Sequence, residues 1–138
     1  MADYRPKMGS EEVAGDTDLS GKLVVVTGGS AGLGIETIRV LAKCGAKVVS
    51  TVRDQEKGQI ALETVKKSVP DADVELAILD LFDLDSVRKC GKEIAENFPK
   101  IDILINNAGV MAAPLSRTKE GFEIHLGTNF LGHYVFTK

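Results

Sequence analysis

A glycine-rich cluster follows the apolar run that ends at Val26, with the sequence Thr27-Gly28-Gly29-Ser30-Ala31-Gly32-Leu33-Gly34. Glycine lets a backbone approach a ligand closely, and the start of a helix offers unpaired N–H groups and the positive end of its dipole. Such a turn can bind a pyrophosphate, and the expected contact residues are Thr27, Gly28, Ser30, Gly32, Leu33 and Gly34. The alternative is a tight turn that binds no ligand. The strand before it and the helix after it favour the pyrophosphate site.

Four apolar runs rich in β-branched residues predict strands that are buried on both faces. They lie at 23–26, 47–52, 74–79 and 101–105. Segments in which apolar residues recur with helical spacing separate them. This alternation predicts an α/β fold with parallel strands joined by right-handed crossovers, which is a doubly wound, Rossmann-type sheet.

The predicted chain order is βαβαβαβ, followed by a loop and a helical segment from about Lys119 to the end. Asp54 and Asp83 stand just before two of the helical segments, where N-cap residues or first-turn acids are expected. The first twenty residues are polar, acidic and aperiodic, which predicts a mobile tail. We therefore expect a flexible tail at 1–20 and one domain at 21–138.

A second motif, Asn106-Asn107-Ala108-Gly109, directly follows the fourth predicted strand. Together with Thr-Gly-x-x-x-Gly-x-Gly after the first strand, it resembles the short-chain dehydrogenase/reductase family, over about 20–138 and in the N-terminal part of the family domain only. The segment 118–134 resembles the retinol dehydrogenase-like branch. The resemblance implies a strand order of 3-2-1-4, a nicotinamide dinucleotide, and oxidation or reduction of a carbonyl or alcohol that could be lipophilic. It places Asn107, Ala108 and Gly109 beside the cofactor.

In such folds the residue that ends the second strand faces the adenine ribose. Arg53 holds this position, and a guanidinium pairs with a phosphate through a planar fork of donors. Arg53 therefore predicts NADP rather than NAD, the alternative being a solvated charge at the strand end. By resemblance, Asp80 and Leu81 flank the adenine, although Asp80 could equally be a turn acid before Asp83.

The family transfers protons with a serine on a later strand, a Tyr-x-x-x-Lys pair and an asparagine on the preceding helix. By resemblance Asn129 is that asparagine and the only catalytic position of the four found here. A literal Tyr134-x-x-x-Lys138 is present, but the family's pair follows a further strand. At about 100° per residue, Tyr134 also lies roughly 140° around a helix from Asn129. We interpret Tyr134 as a packing aromatic and expect no turnover by this chain alone.

His125, Asn129 and His133 are spaced by four residues and share a helix face. A metal site would need a third strong ligand and an outer shell of partners, and the sequence shows neither. We therefore predict no metal and interpret the two histidines as core or surface residues.

Composition narrows the function classes further. A net charge of −3 without a basic patch gives no indication of nucleic acid binding. No apolar run approaches the roughly 18 residues that indicate a membrane span. Cys44 and Cys90 are far apart, which suits a reducing compartment and hence a cytoplasmic location.

The expected partners are a nicotinamide dinucleotide and, with a completed C-terminal part, a small carbonyl or alcohol. Strand 101–105 would form an unpaired apolar edge, which predicts association with a second copy or a homologue. The alternative function is a non-catalytic NADP(H)-binding or subunit-interaction protein.

Overall fold

The computed structural model describes residues 8–138, in which strands and helices alternate along the chain as predicted. The strands are β1 (Leu23–Thr27), β2 (Lys47–Val52), β3 (Val74–Ile78) and β4 (Ile103–Ile105). The helices are α1 (Ser10–Ala14), α2 (Gly32–Lys43), α3 (Gln55–Ser68), α4 (Leu84–Asn97) and α5 (His133–Thr137), with a π-helical segment (Leu126–Gly132) directly before α5. Within the described residues, no helix has the length and apolar character that crossing a membrane requires.

The four strands form one parallel sheet in the order β3-β2-β1-β4. Val24 pairs with Val48 of β2 on one side and with Ile103 of β4 on the other. The predicted Rossmann-type topology and the strand order 3-2-1-4 are therefore confirmed. In the described part of the chain β4 pairs with β1 alone, and the association predicted for this edge stays a prediction.

Helices cover both faces of the sheet. On one face, α2 and α3 pack against alternate strand residues in a cluster that includes Val24, Val26, Val48, Ile38 and Val65. On the other face, α4 and α5 pack against a cluster that includes Val25, Val49, Val87, Cys90 and Ile94. Burial on both faces explains the largely apolar runs of β1 and β2, whereas the edge strand β3 exposes Glu75 and Ile78, so the prediction of burial on both faces is wrong for β3.

The two predicted helix caps are confirmed. Asp54 accepts hydrogen bonds from the backbone of Glu56 at 2.9 Å and of Lys57 at 3.1 Å, at the start of α3. Asp83 accepts from Asp85 and Ser86 at the start of α4. Each carboxylate satisfies N–H groups that have no partner inside the helix.

A short helix, α1, lies in the segment that the sequence predicts to be aperiodic. Glu11 pairs with Arg39 at 2.5 Å and also with Lys43, and these contacts tie α1 to α2. None of the residues of α1 is buried, so the sequence carries no apolar stripe that would indicate this helix. Positions 1–7 of the expected tail lie outside the described residues, and the domain boundary at 20 stays a prediction.

The C-terminal helical segment begins later than the predicted Lys119. Residues 118–121 form a turn, in which Gly121 has a φ of 87° and its N–H bonds to the carbonyl of Thr118. That conformation is compatible with glycine and not with a continuing helix. A Cβ at Gly127 would lie 2.2 Å from the Thr118 side chain, so the π-helical segment packs directly against this turn.

Asp102 joins β1 to the start of β4. Its carboxylate accepts a hydrogen bond from the Leu23 backbone at 3.1 Å and pairs with Lys100 at 2.5 Å and Lys22 at 3.3 Å. The bond from Lys100 foremost, and then that from Leu23, holds the pKa of Asp102 well below its ordinary value of 3.8. A lowered pKa means that the carboxylate stabilises the fold above the ordinary pKa and that this contribution is lost as the pH falls below it.

We therefore expect Asp102→Asn to lower the melting temperature at about pH 7. The difference from the unchanged chain should become smaller as the pH falls below the ordinary carboxyl pKa. Thermal denaturation followed by circular dichroism over this pH range measures the difference. The matched control is Asp71→Asn at an exposed acid. A melting temperature for Asp102→Asn equal to that of the unchanged chain at neutral pH would contradict the assignment.

Candidate nucleotide-binding site

A cleft of about 910 Å³ opens at the carboxyl ends of the strands. In open α/β sheets this edge is where ligands bind. Most of the predicted site residues line it, namely Gly28, Ser30, Gly32, Leu33, Gly34, Arg53, Asp80, Leu81, Asn107, Ala108, Gly109 and Asn129. The fold thus brings these residues together, and their individual ligand contacts stay predictions. Thr27 is the exception, because it is fully buried behind the lining.

Several lining residues were not identified from the sequence. These are Ala31, Thr51, Leu79, Phe82, Val110, Met111 and Thr128. Most of them are adjacent in the chain to predicted residues, so extending each predicted motif by one residue would have identified them. Thr128 is notable because its buried hydroxyl meets no hydrogen-bond partner among residues 8–138.

The glycine-rich turn is held against β2. The N–H groups of Gly28 and Gly29 both donate to the carbonyl of Thr51 at 3.0 Å. Gly28 has a φ of 75°, and a Cβ at Gly34 would lie 2.1 Å from the carbonyl oxygen of Gly28. Glycine is therefore required at both positions for α2 to begin this close to β1.

The first turn of α2 has the features of an anion site. Its N-cap residue, Ala31, forms no side-chain hydrogen bond to the helix, so no side chain of the cap satisfies the first N–H groups. Gly32 has a φ of 58°, and a Cβ there would meet no atom within 4 Å, which leaves open space above the turn. Unpaired donors at the positive end of a twelve-residue helix fit a pyrophosphate group.

The Asn-Asn-Ala-Gly block fastens β4 to the glycine-rich turn. The Asn107 amide donates to the carbonyl of Thr27 at 2.9 Å, and the Ala108 N–H donates to the Thr27 hydroxyl at 3.0 Å. A Cβ at Gly28 would lie 2.8 Å from the Cα of Ala108. The two motifs are therefore in van der Waals contact, and these hydrogen bonds hold the end of β4 against the end of β1.

Arg53 lies at the rim of the cleft with its guanidinium 5.5 Å from the centre of the Phe82 ring. This distance is within the range of a cation–π contact. Within residues 8–138 the guanidinium forms no hydrogen bond or ion pair, and the neighbouring Asp54 is engaged in the α3 cap. Arg53 thus keeps its donors available on the side of the cleft where the sequence predicts the adenine ribose.

Asp80 fulfils its predicted alternative as a turn acid. Its carboxylate accepts from the Phe82 N–H at 3.0 Å, and its own N–H donates to the Ser86 hydroxyl at 3.0 Å. These bonds shape the end of β3 into the wall of the cleft. The contact of Asp80 and Leu81 with an adenine ring stays a prediction.

Asn129 uses its side chain to hold the segment after the Asn-Asn-Ala-Gly block. Its Oδ1 accepts from the Val110 N–H at 2.8 Å, and its Nδ2 donates to the Val110 carbonyl at 2.9 Å. Because both bonds go to the backbone of Val110, they fix the position and the orientation of that residue. Asn129 therefore connects the C-terminal helix to the wall of the cleft.

Tyr134 and Lys138 lie outside the cleft lining. The Tyr134 ring is 55% exposed, with the Lys138 ammonium 5.7 Å from its centre, so the interpretation of Tyr134 as a packing aromatic is wrong. The helical angle that separated Tyr134 from Asn129 in the sequence argument is wrong, because residues 126–132 are π-helical and turn by a smaller angle per residue. The position of Tyr134 away from the cleft nevertheless agrees with the interpretation that it is not the catalytic tyrosine.

The histidines and Asn129 have separate partners. The His125 ring lies 2.7 Å from Glu123, whereas His133 is buried against Thr27. Hydrogen bonds from the backbone of Leu126 foremost, and then from His125, lower the pKa of Glu123 to about 2. The Glu123 carboxylate accepts from the backbone N–H groups of His125 and Leu126 and so caps the helix that carries Asn129 and His133.

A sequence profile described as short chain dehydrogenase matches residues 22–138. The chain belongs to this family. Retinol dehydrogenase 11 of Homo sapiens is 42% identical to it over 132 residues, which cover 95% of this chain and 42% of that protein. A short-chain dehydrogenase/reductase of Armillaria gallica is 45% identical over 122 residues, covering 88% of this chain and 39% of that protein. The chain therefore spans about two fifths of the length of these relatives.

Solved structures agree with the family. An uncharacterized protein from Mycobacterium Paratuberculosis is 44% identical, with a TM-score of 0.78 over 90% of this chain and 43% of that one. A metagenomic short-chain oxidoreductase in complex with NADP is 30% identical, with a TM-score of 0.71 over 86% of this chain and 54% of that one. These similarities confirm the predicted family and its Rossmann-type fold.

We expect Asn129→Ala to release the Val110 segment, because the variant loses both bonds to that backbone. Hydrogen exchange of the Val110 amide should become about threefold to tenfold faster, which corresponds to the free energy of one ordinary hydrogen bond. The control is Asn97→Ala, which removes an amide that bonds only to Glu93 in its own helix. Unchanged exchange at Val110 in Asn129→Ala would show that other contacts hold the segment.

Proposed function

We propose that this chain is the NADP(H)-binding part of an oxidoreductase that interconverts a carbonyl compound and an alcohol. The observation that carries the proposal is the cleft in which the uncapped start of α2 faces the Asn-Asn-Ala-Gly block. Membership of the short-chain dehydrogenase family supports a nicotinamide dinucleotide as the ligand. The nicotinamide, when bound, supplies or accepts the hydride.

The chain's own residues bind and orient the cofactor. The N–H groups at the start of α2 hold the pyrophosphate, and Gly32 leaves room for it, whereas Gly28 allows the turn to pack against Ala108. Leu79, Leu81 and Ala108 supply apolar walls that exclude water from the ring systems. Asn129 keeps Val110 in place beside the reacting end of the cleft, and its position in the family pattern also gives it the role of holding a water for proton transfer.

The preference for NADP(H) rests on Arg53. Its guanidinium is held near the cleft by Phe82 and, within residues 8–138, has no hydrogen-bond or ion-pair partner, while Asp54 caps α3 through its Oδ1. Arg53 lines the cleft whereas Asp54 does not, and a guanidinium can pair with a 2′-phosphate. Both observations favour the phosphorylated cofactor.

We expect Arg53→Ala to weaken NADPH binding about tenfold or more while NADH binding changes little, because a charge-assisted pair with phosphate contributes more than a neutral bond. Fluorescence titration of the purified chain with each nucleotide measures the two dissociation constants. Arg88→Ala, at an exposed arginine on α4, is the matched control. Equal losses for the two nucleotides in Arg53→Ala would defeat the 2′-phosphate assignment.

We infer a lipophilic substrate of the retinol type. The curated relatives named retinol dehydrogenase support this class. The side chain of Met111 is 92% exposed at the cleft beside Val110, and apolar groups at this rim suit an apolar substrate. A carbonyl-reduction assay with retinal and with a small polar aldehyde, run on this sequence joined to the C-terminal part of a full-length relative, compares the two substrate classes.

Nucleotide binding without turnover is the second candidate function. It is favoured by the positions of Tyr134 and Lys138 outside the cleft, which leave the described cleft lining without a tyrosine or a lysine. Saturable NADPH binding by the 138-residue chain without carbonyl reduction would support this candidate. Turnover by the same chain would contradict it.

We expect Tyr134→Phe to leave NADPH affinity and any carbonyl reduction by the chain unchanged, because the ring lies outside the cleft. The titration used for Arg53 and a coupled absorbance assay measure both quantities. Lys138→Met tests the other member of the pair in the same way. A complete loss of activity in Tyr134→Phe would show that this tyrosine takes part in the reaction after all.

A cytoplasmic location remains part of the proposal. Cys44 and Cys90 are both free thiols, and burial raises the pKa of Cys90 to about 11. Two unpaired thiols are compatible with a reducing compartment.

A further inference from the structure

His133 occupies the junction between β1 and the C-terminal helix. It is only 6% exposed, and its Nε2 lies 2.8 Å from the hydroxyl of Thr27, which is fully buried. Its Nδ1 lies 3.1 Å from the backbone carbonyl of Asn129. The ring thus connects the residue before the glycine-rich turn to the asparagine that holds the cleft wall.

The surrounding groups determine which ring nitrogen carries the hydrogen. The Thr27 hydroxyl accepts from the Ala108 N–H at 3.0 Å, so it needs an acceptor for its own hydrogen, and Nε2 is within reach. Nδ1 faces a carbonyl oxygen, which can only accept. Both constraints are satisfied together when Nδ1 bears the hydrogen and Nε2 is the acceptor. In the opposite tautomer, the hydroxyl hydrogen of Thr27 would have no acceptor, and the unprotonated Nδ1 would face the Asn129 carbonyl oxygen, which also can only accept.

We propose that His133, as the neutral Nδ1–H tautomer, is a positioning residue that couples the glycine-rich turn to Asn129. The hydrogen bonds run from Ala108 to Thr27, from Thr27 to His133 and from His133 to Asn129, whose amide in turn holds Val110. They join three walls of the cleft that lie far apart in the sequence. The inference rests on the proposed function for its ligand, but the tautomer does not depend on a ligand.

The tautomer is tested on the unchanged 138-residue chain labelled with ¹⁵N-histidine, by long-range ¹H–¹⁵N correlation at neutral pH. The sequence contains two histidines, and the variant His125→Gln assigns their signals. We expect His133 to show a protonated Nδ1 and an unprotonated Nε2. An Nε2–H tautomer, or a ring protonated on both nitrogens, would overturn the proposal. This measurement needs no folded variant at position 133.

The coupling is tested by NADPH titration of variants at both ends of the Thr27–His133 bond. We expect His133→Phe and Thr27→Val each to weaken NADPH binding by about threefold to tenfold, the range that one hydrogen bond implies. The double variant should bind about as weakly as either single variant, because both changes remove the same bond. If the loss of NADPH affinity in the double variant equals the product of the two single losses, the coupling is overturned.

Two further variants separate positioning from general packing. His133→Gln, whose amide oxygen can accept from Thr27, should recover part of the affinity that His133→Phe loses, whereas an equal loss in both would contradict a role for the acceptor. The control is His125→Phe, at the partly exposed histidine beside Glu123, which should leave NADPH affinity unchanged. A matching loss in His125→Phe would show that the effect is not particular to the ring at 133.

The two proposals fail in different ways. If the unchanged chain binds no NADPH but shows the Nδ1–H tautomer at His133, the proposed cofactor is wrong and the hydrogen-bonded connection is retained. If the chain binds NADPH and His133→Phe binds it equally well, the cofactor assignment holds and the positioning role is wrong.

Discussion

The architecture depends on how closely the backbones of β1, α2 and the block after β4 approach one another. A Cβ at Gly34 would lie 2.1 Å from the Gly28 carbonyl oxygen and 2.9 Å from the Asn107 amide nitrogen. A Cβ at Gly28 would lie 2.8 Å from Ala108. Since real side chains do not tolerate such distances, glycine at these two positions is a condition for the whole arrangement. The cleft, the start of α2 and the contact between the two motifs all follow from it.

Much of the fold could be predicted because its signals are local. Buried parallel strands need continuous β-branched runs, and those runs are visible at 23–26 and 47–52. The caps at Asp54 and Asp83 depend only on backbone groups two or three residues away. The lining of the cleft was predictable wherever a glycine or asparagine motif carries it.

The remaining features depend on contacts that are distant in the sequence. The helix α1 contacts α2 through ion pairs from Glu11, and no pattern within 10–14 reveals these contacts. The π-helical segment packs at Gly127 against the turn at Thr118, and a regular helical angle could not anticipate it. The roles of Phe82 and His133 likewise arise from partners on other elements. Propensity and periodicity contain no information about such pairs.

The bond between Thr27 and His133 spans 106 residues, and this separation has a kinetic consequence. Strands β1 and β2 can pair soon after they leave the ribosome, whereas the hydroxyl of Thr27 must wait until residue 133 has been synthesised. Closing so long a loop costs conformational entropy, and contacts of high sequence separation slow folding. The pairing of β1 with β2 can therefore precede the contact between Thr27 and His133, so that part of the sheet can form before this connection between the cleft walls does.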